Sequence, residues 1–290
     1  MPKKKSRKGA RAPRTPERQI AEILRRQGVR LLAAAVVGIQ MVSCASSPDV
    51  AKPRPPAATS VTVPGAVVTS TRFGDCPQFF AGGIPPTVTA TPKLKALCFE
   101  NFAVLHDGST RTPLFVAERL NRQMLLAARQ QKRSNNFHAE PHLPAGERAE
   151  LSDYRDSGYA RGHMAPAADM PTAEAMAQSF TLANMVPQDP RHNSGAWSKI
   201  EQDTRAYVMR ATGDVYVITA PVFAPDSSAI GPNQVRVPTQ LFKLVYDPHT
   251  QRAWAHWQQN SAETRPGPPI SYGALEYLTH QEWLPGVGIN

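Results

Sequence analysis

The amino-acid sequence predicts an α+β fold around a mostly antiparallel central sheet flanked by helices, on three observations. Strand-like and helix-like segments come in clusters and do not alternate regularly, which argues against a parallel sheet of βαβ units. Two apolar runs flank the Asp107-Gly108 pair, a hairpin signature. No internal repeat is visible. The 290 residues suit one large domain or two small ones with tails, long enough to bury a core without metals or many disulfides.

Residues 1–30 are rich in Lys and Arg, and residues 31–42 form an apolar run too short to span a bilayer as a helix. A basic flank, a short apolar stretch and the small residues of Ser43-Cys44-Ala45-Ser46-Ser47 read as a secretory signal, with an uncleaved anchor helix as the competing reading. Met41-Val42-Ser43-Cys44 resembles the lipobox of bacterial lipoproteins, with Met41 where leucine is usual. That resemblance implies a signal segment over 1–44, a lipidated Cys44 as mature N-terminus and a membrane anchor. Residues 45–73, with Pro53, Pro55, Pro56 and Pro64, bury too little to fold alone and read as an extended tether. The folded domain is expected over 74–290, in a protein exported to the periplasm or cell envelope, or secreted.

Residues 1–43 hold 11 Lys/Arg against 2 Asp/Glu, so most of the net charge of +10 lies there. The rest of the chain is nearly neutral, and global charge says little about its partner. Cys76 and Cys98 lie 22 apart. In an exported chain these two are expected to bridge; a buried pair of free thiols is the alternative.

Within the domain, residues 97–107 read as a first strand and 112–120 as its antiparallel return. Residues 134–158 form a polar loop, of a length usually kept for function. A short helix follows over 171–180, with Pro171 near its first turn, then a short strand over 181–185. Apolar Ala196, Trp197, Ile200, Ala206, Tyr207 and Met209 recur at helical period from 195 to about 210. Strands are expected over 214–223, 237–247 and 253–257, and a last helix over 271–284.

Chemistry concentrates in Tyr159-Ala160-Arg161-Gly162-His163-Met164-Ala165-Pro166, followed by Asn184-Met185-Val186-Pro187-Gln188 and by Asn193-Ser194-Gly195-Ala196-Trp197-Ser198-Lys199-Ile200-Glu201. These offer a base, a cation and a hard oxygen ligand, as metal-assisted hydrolysis of a phosphodiester requires. Imidazole titrates near neutrality, so His163 can take a proton at working pH. An amide oxygen such as that of Asn193 suits Mg²⁺, which keeps most of its waters; its bland reading is a helix cap. Eight residues at about 100° each place Glu201 about 80° past two turns from Asn193, so both can face one site.

These paired motifs, in this order and spacing, resemble the DNA/RNA non-specific endonuclease family, the Serratia-type and mitochondrial endonuclease G-type ββα-metal nucleases. The similarity runs from about Cys76 to Leu284. It implies that His163 is the general base, that Asn193 is the single direct protein ligand of Mg²⁺ (or Mn²⁺), and that Glu201 orders water around the ion. It gives Arg161 the scissile phosphate, makes Arg133 and Arg205 further phosphate candidates, and makes Asn184 and Gln188 polar support around the metal. The alternatives are a structural histidine, a solvated Glu201, a surface Arg133 and a structural turn at Pro187. Trp197 reads as core, and the other histidines as ordinary.

The family motif usually begins Asp-Arg-Gly-His, and Ala160 stands where that aspartate would be. Its loss removes a charge beside Arg161, so activity is expected to be reduced or retuned. The function implied is Mg²⁺-dependent, sugar-non-specific cleavage of DNA and RNA to 5′-phosphate ends through backbone contacts. The competing class is a weak or inactive pseudo-nuclease serving as a lipid-tethered binding module.

Overall fold

A computed structural model describes residues 21–22, 68–69 and 73–290. The expected signal segment, the lipidation site Cys44 and nearly all of the tether lie outside the described residues. In chain order the main elements are β1 (Leu94–Cys98), β2 (Ala103–Asp107), β3 (Thr112–Leu120), α1 (Arg122–Ala128) and β4 (Ala160–His163). They continue with α2 (Ala173–Gln178), β5 (Met185–Gln188), α3 (Ser198–Val208), β6 (Val215–Val222), β7 (Gln240–Asp247), β8 (Arg252–Gln259), β9 (Ile270–Ser271) and α4 (Tyr272–Thr279).

Seven strands make one antiparallel sheet in the order β9-β8-β7-β6-β3-β2-β1, as the clustering of strands predicts. Side chains alternate between its faces. On one face Phe115 and Ala117 of β3 pack with Phe73, Phe80, Phe242 and Trp283. On the other, Val116 packs with Met164, Phe180, Trp197 and Ile200. Because both faces are covered, the central strands are nearly continuous apolar runs. The second layer carries the motif residues, so the sheet is the floor of the site.

Three boundaries depart from expectation. The single strand over 97–107 is two, β1 and β2, reversed through residues 99–102, where the Phe99 N–H donates to the Phe102 carbonyl at 2.9 Å and the two rings stack at 4.5 Å. Apolar content hid that turn. The strand expected over 181–185 is displaced to β5, because the Thr181 hydroxyl caps a tight turn over Leu182–Asn184. The last helix stops at Thr279, where His280 adopts a left-handed φ of 52°.

Cys76 and Cys98 are bonded, which ties the segment ahead of the sheet to the end of its edge strand. Replacing both cysteines by serine is expected to lower stability by about 3 kcal/mol on loop-entropy grounds, read as an earlier midpoint in denaturant; an unchanged midpoint would show that the bridge constrains nothing.

Candidate active site

The site starts from a two-stranded hairpin, β4 against β5, with Ala160 opposite Gln188, Arg161 opposite Pro187, Gly162 opposite Val186 and His163 opposite Met185. Gly162 is required by packing: a Cβ there would lie 2.1 Å from Gln188 Oε1. Gln188 is fully buried, and its Nε2 and His192 Nδ1 are 3.1 Å apart. The Asn184 carboxamide is also fully buried, accepting from the Ala165 N–H and donating to the carbonyls of Ala165 and Ser179, each at 2.9 Å. Both side chains therefore brace the hairpin itself.

Behind β5 a continuous helical run starts at Pro190, with the Asp189 carboxylate capping the N–H groups of Arg191 and His192. It passes through a π-helical turn over Asn193–Trp197 before α3. Asn193 thus lies inside the helix and does not cap it, contrary to the bland reading above. The wide turn also invalidates the angle worked out at 100° per residue. Such turns recur at functional sites because they redirect side chains.

Arg133, Arg161, His163, Asn193 and Glu201 line one cleft of about 750 Å³. Arg205 does not join them. It donates to Asp169 Oδ1 at 3.1 Å and lines a neighbouring groove of about 430 Å³, which shares Arg133, Ala167 and Ala168 with the cleft. Trp197 is fully buried core. Arg133 is exposed, donates to Asn135 Oδ1 at 2.7 Å, and carries its guanidinium carbon 5.0 Å from the Phe180 ring centre.

His163 is 8 % exposed, and its Nε2 is buried with no hydrogen-bond partner among the described residues. Burial first, then the charges of Arg133 and Arg161, lower its pKa to about 3. An imidazole titrating near neutrality is therefore not what the fold provides; the ring is neutral throughout the physiological range. Glu201 moves the other way. Burial raises its pKa to about 7, against the opposing charge of Lys243 and with the support of Asp169.

Lys243 and Glu118 are the charged residues that motif reasoning missed. Each sits inside an apolar strand, β7 and β3, and that interruption was the available signal. Lys243 Nζ donates to Thr219 Oγ1 at 2.6 Å and to the Met164 carbonyl at 3.4 Å, next to His163. Glu118 is fully buried; burial, with Asp169 beside it and Lys243 opposing, raises its pKa well above the usual carboxylate range.

A hairpin followed by a helix, with an imidazole and amide and carboxylate oxygens lining one cleft over an antiparallel sheet, is the architecture of a ββα-metal nuclease. The chain belongs to the DNA/RNA non-specific endonuclease family, whose model matches residues 83–279. Human "Nuclease EXOG, mitochondrial" is 34% identical over 174 residues, covering 56% of this chain and 45% of that protein. Human "Endonuclease G, mitochondrial" is 36% identical over 157 residues, covering 50% and 52%. "Nuclease C1" of Cunninghamella echinulata var. echinulata is 31% identical over 169 residues, covering 54% and 67%. The chain spans about half the length of the mitochondrial relatives. A crystal structure of an EndoG/EndoGI complex shares the fold, with a TM-score of 0.59 at 23% identity over 65% of this chain and 85% of that one.

A pKa lowered on folding makes the neutral His163 imidazole the stabilised form, so its contribution is full above about pH 6.5 and is lost as pH falls toward 3. In His163→Gln the pH slope of unfolding free energy across that window is expected to shrink by up to about 1.4 kcal/mol per unit. In the wild type the His163 ring resonance should not titrate between pH 8 and 5, and a midpoint near 6.5 would contradict the buried, cation-flanked placement.

Proposed function

We propose that this chain is a metal-dependent, sugar-non-specific endonuclease that hydrolyses DNA and RNA phosphodiester bonds with His163 as general base. The observation that carries this reading is the convergence of His163, Arg161, Asn193 and Glu201 on one cleft. The names of the relatives, all nucleases, support it.

The His163 imidazole takes a proton from the attacking water. In the free protein burial and, after it, the charges of Arg133 and Arg161 suppress its basicity; a phosphodiester seated between the two arginines offsets the part that they contribute. Arg161 and Arg133 hold the phosphate and stabilise its growing charge. Breaking the bond to the 3′ oxygen leaves a 5′-phosphate. Contacts to phosphate and sugar leave the bases largely unread, which suits tolerance of both DNA and RNA.

The donor set fits a hard, mostly hydrated cation. Among the described residues no three His, Cys, Asp or Glu side chains form a metal cluster. The Asn193 carboxamide and the Glu201 carboxylate instead offer oxygen in the cleft, a set matched to Mg²⁺ or Mn²⁺. When bound, such an ion supplies Lewis-acid stabilisation of charge on the phosphate and leaving oxygen.

A plasmid-nicking assay of the full chain, with Mg²⁺ and with chelator, tests the reading. Cleavage is expected with the metal alone, and His163→Ala should lose at least ~10²-fold with its thermal unfolding unchanged. Retained cleavage in that variant would reject His163 as base; inertness of the folded wild type would favour the binding-module alternative.

The chain is further read as exported and held to a membrane through a lipid on Cys44. The Cys76–Cys98 bridge, of a kind that persists in oxidising compartments, supports export. Cys44→Ser is expected to move the protein from the membrane fraction to the soluble one on cell fractionation. Unchanged membrane association would reject the anchor.

A further inference from the structure

Arg161 is the motif cation, yet among the described residues no carboxylate lies within ion-pair reach of it, and Ala160 beside it carries no charge. Its guanidinium carbon instead lies 4.1 Å from the centre of the Phe137 ring. That ring meets Phe180 edge-to-face at 4.9 Å, and Phe180 meets the His163 ring edge-to-face at 5.0 Å. Arg161 and His163, two apart on β4 and so on one face of the strand, thus rest on a single aromatic pair. Phe137 is held there by the backbone beside it: the His138 N–H donates to the Phe180 carbonyl at 3.2 Å, and the His138 carbonyl accepts from the Leu182 N–H at 2.8 Å. This latch pins the end of an exposed polar run, residues 132–136, against the chain entering β5.

We infer that Phe137 is a positioning residue, whose ring face fixes the Arg161 guanidinium in the cleft while leaving its positive charge free for a phosphate. A carboxylate neighbour would orient the same group, but it would also neutralise it and compete with an anionic ligand. An aromatic face attracts the cation through its quadrupole and carries no net charge. Orientation and full charge are thereby combined. The kinetic consequence rests on the nuclease reading above; the placement itself does not.

The test uses the full chain with Phe137→Leu, Phe137→Tyr, Arg161→Ala and the Phe137→Leu/Arg161→Ala double variant. In ¹H–¹⁵N spectra the Arg161 Nε–Hε resonance, assigned by its loss in Arg161→Ala, is expected to be shifted upfield by the ring current and to return toward ordinary arginine values in Phe137→Leu. On an oligonucleotide with Mg²⁺, Phe137→Leu should lower kcat/KM about tenfold and Phe137→Tyr by less than about threefold, with thermal unfolding little changed in both. In the Arg161→Ala background, Phe137→Leu should cost nothing further, since the residue acts through the arginine. An unshifted Nε–Hε resonance, additive losses in the double variant, or equal damage from leucine and tyrosine would overturn the inference. A wild-type protein that cleaves nothing would sink the nuclease reading, and the spectra would still decide the placement of Arg161.

Discussion

The site depends on one buried carboxamide. Asn184 makes two hydrogen bonds to the Ala165 backbone just after His163 and a third to the Ser179 carbonyl in its own segment, which leads into β5. Each is worth about 1 kcal/mol net, but leaving any of those buried groups unpaired would cost more. The energy matters less than the geometry. The chain leaves β4 after His163 beside the segment that enters β5, and Asn184 ties those two paths into one object. Gln188 and the absent side chain of Gly162 do the same for the other end of the hairpin, where no other residue could sit so close to the glutamine.

Beneath this frame the protein buries charge, which is costly unless it is balanced. Lys243 lies among Glu118, Asp169 and Glu201, and Arg205 is paired to Asp169. Arg133 and Arg161, which line the cleft, lie against aromatic faces, and among the described residues neither is in an ion pair. An anion entering the cleft therefore meets two cations. The same pocket lowers the pKa of an imidazole and raises that of a carboxylate because burial acts on each in the direction of its neutral form.

Much of the site was legible because its parts are local. Arg161, Gly162 and His163 share one strand, and Asn193 and Glu201 share one helical run, so order and spacing carried real geometric information. Arg205 had the expected spacing, but Asp169, 36 residues upstream, holds it toward the next groove. Phe137 was missed although an isolated aromatic at the end of a polar stretch was a usable sign; its partners Arg161 and Phe180 are distant in sequence. Boundaries failed for similar reasons. The reversal between β1 and β2 contains no glycine or proline, and the helical run of the site begins at Pro190, earlier than its apolar periodicity does.

By itself the sequence determined the class of fold and the linear set of chemically competent groups, because apolar periodicity and short motifs act over a few residues. Only the tertiary structure decided which of those groups meet, what protonation state each adopts and what holds each in place. Those outcomes follow from burial and from charges brought together by strands far apart in the chain, such as Glu118 and Lys243, and no local pattern encodes such distances.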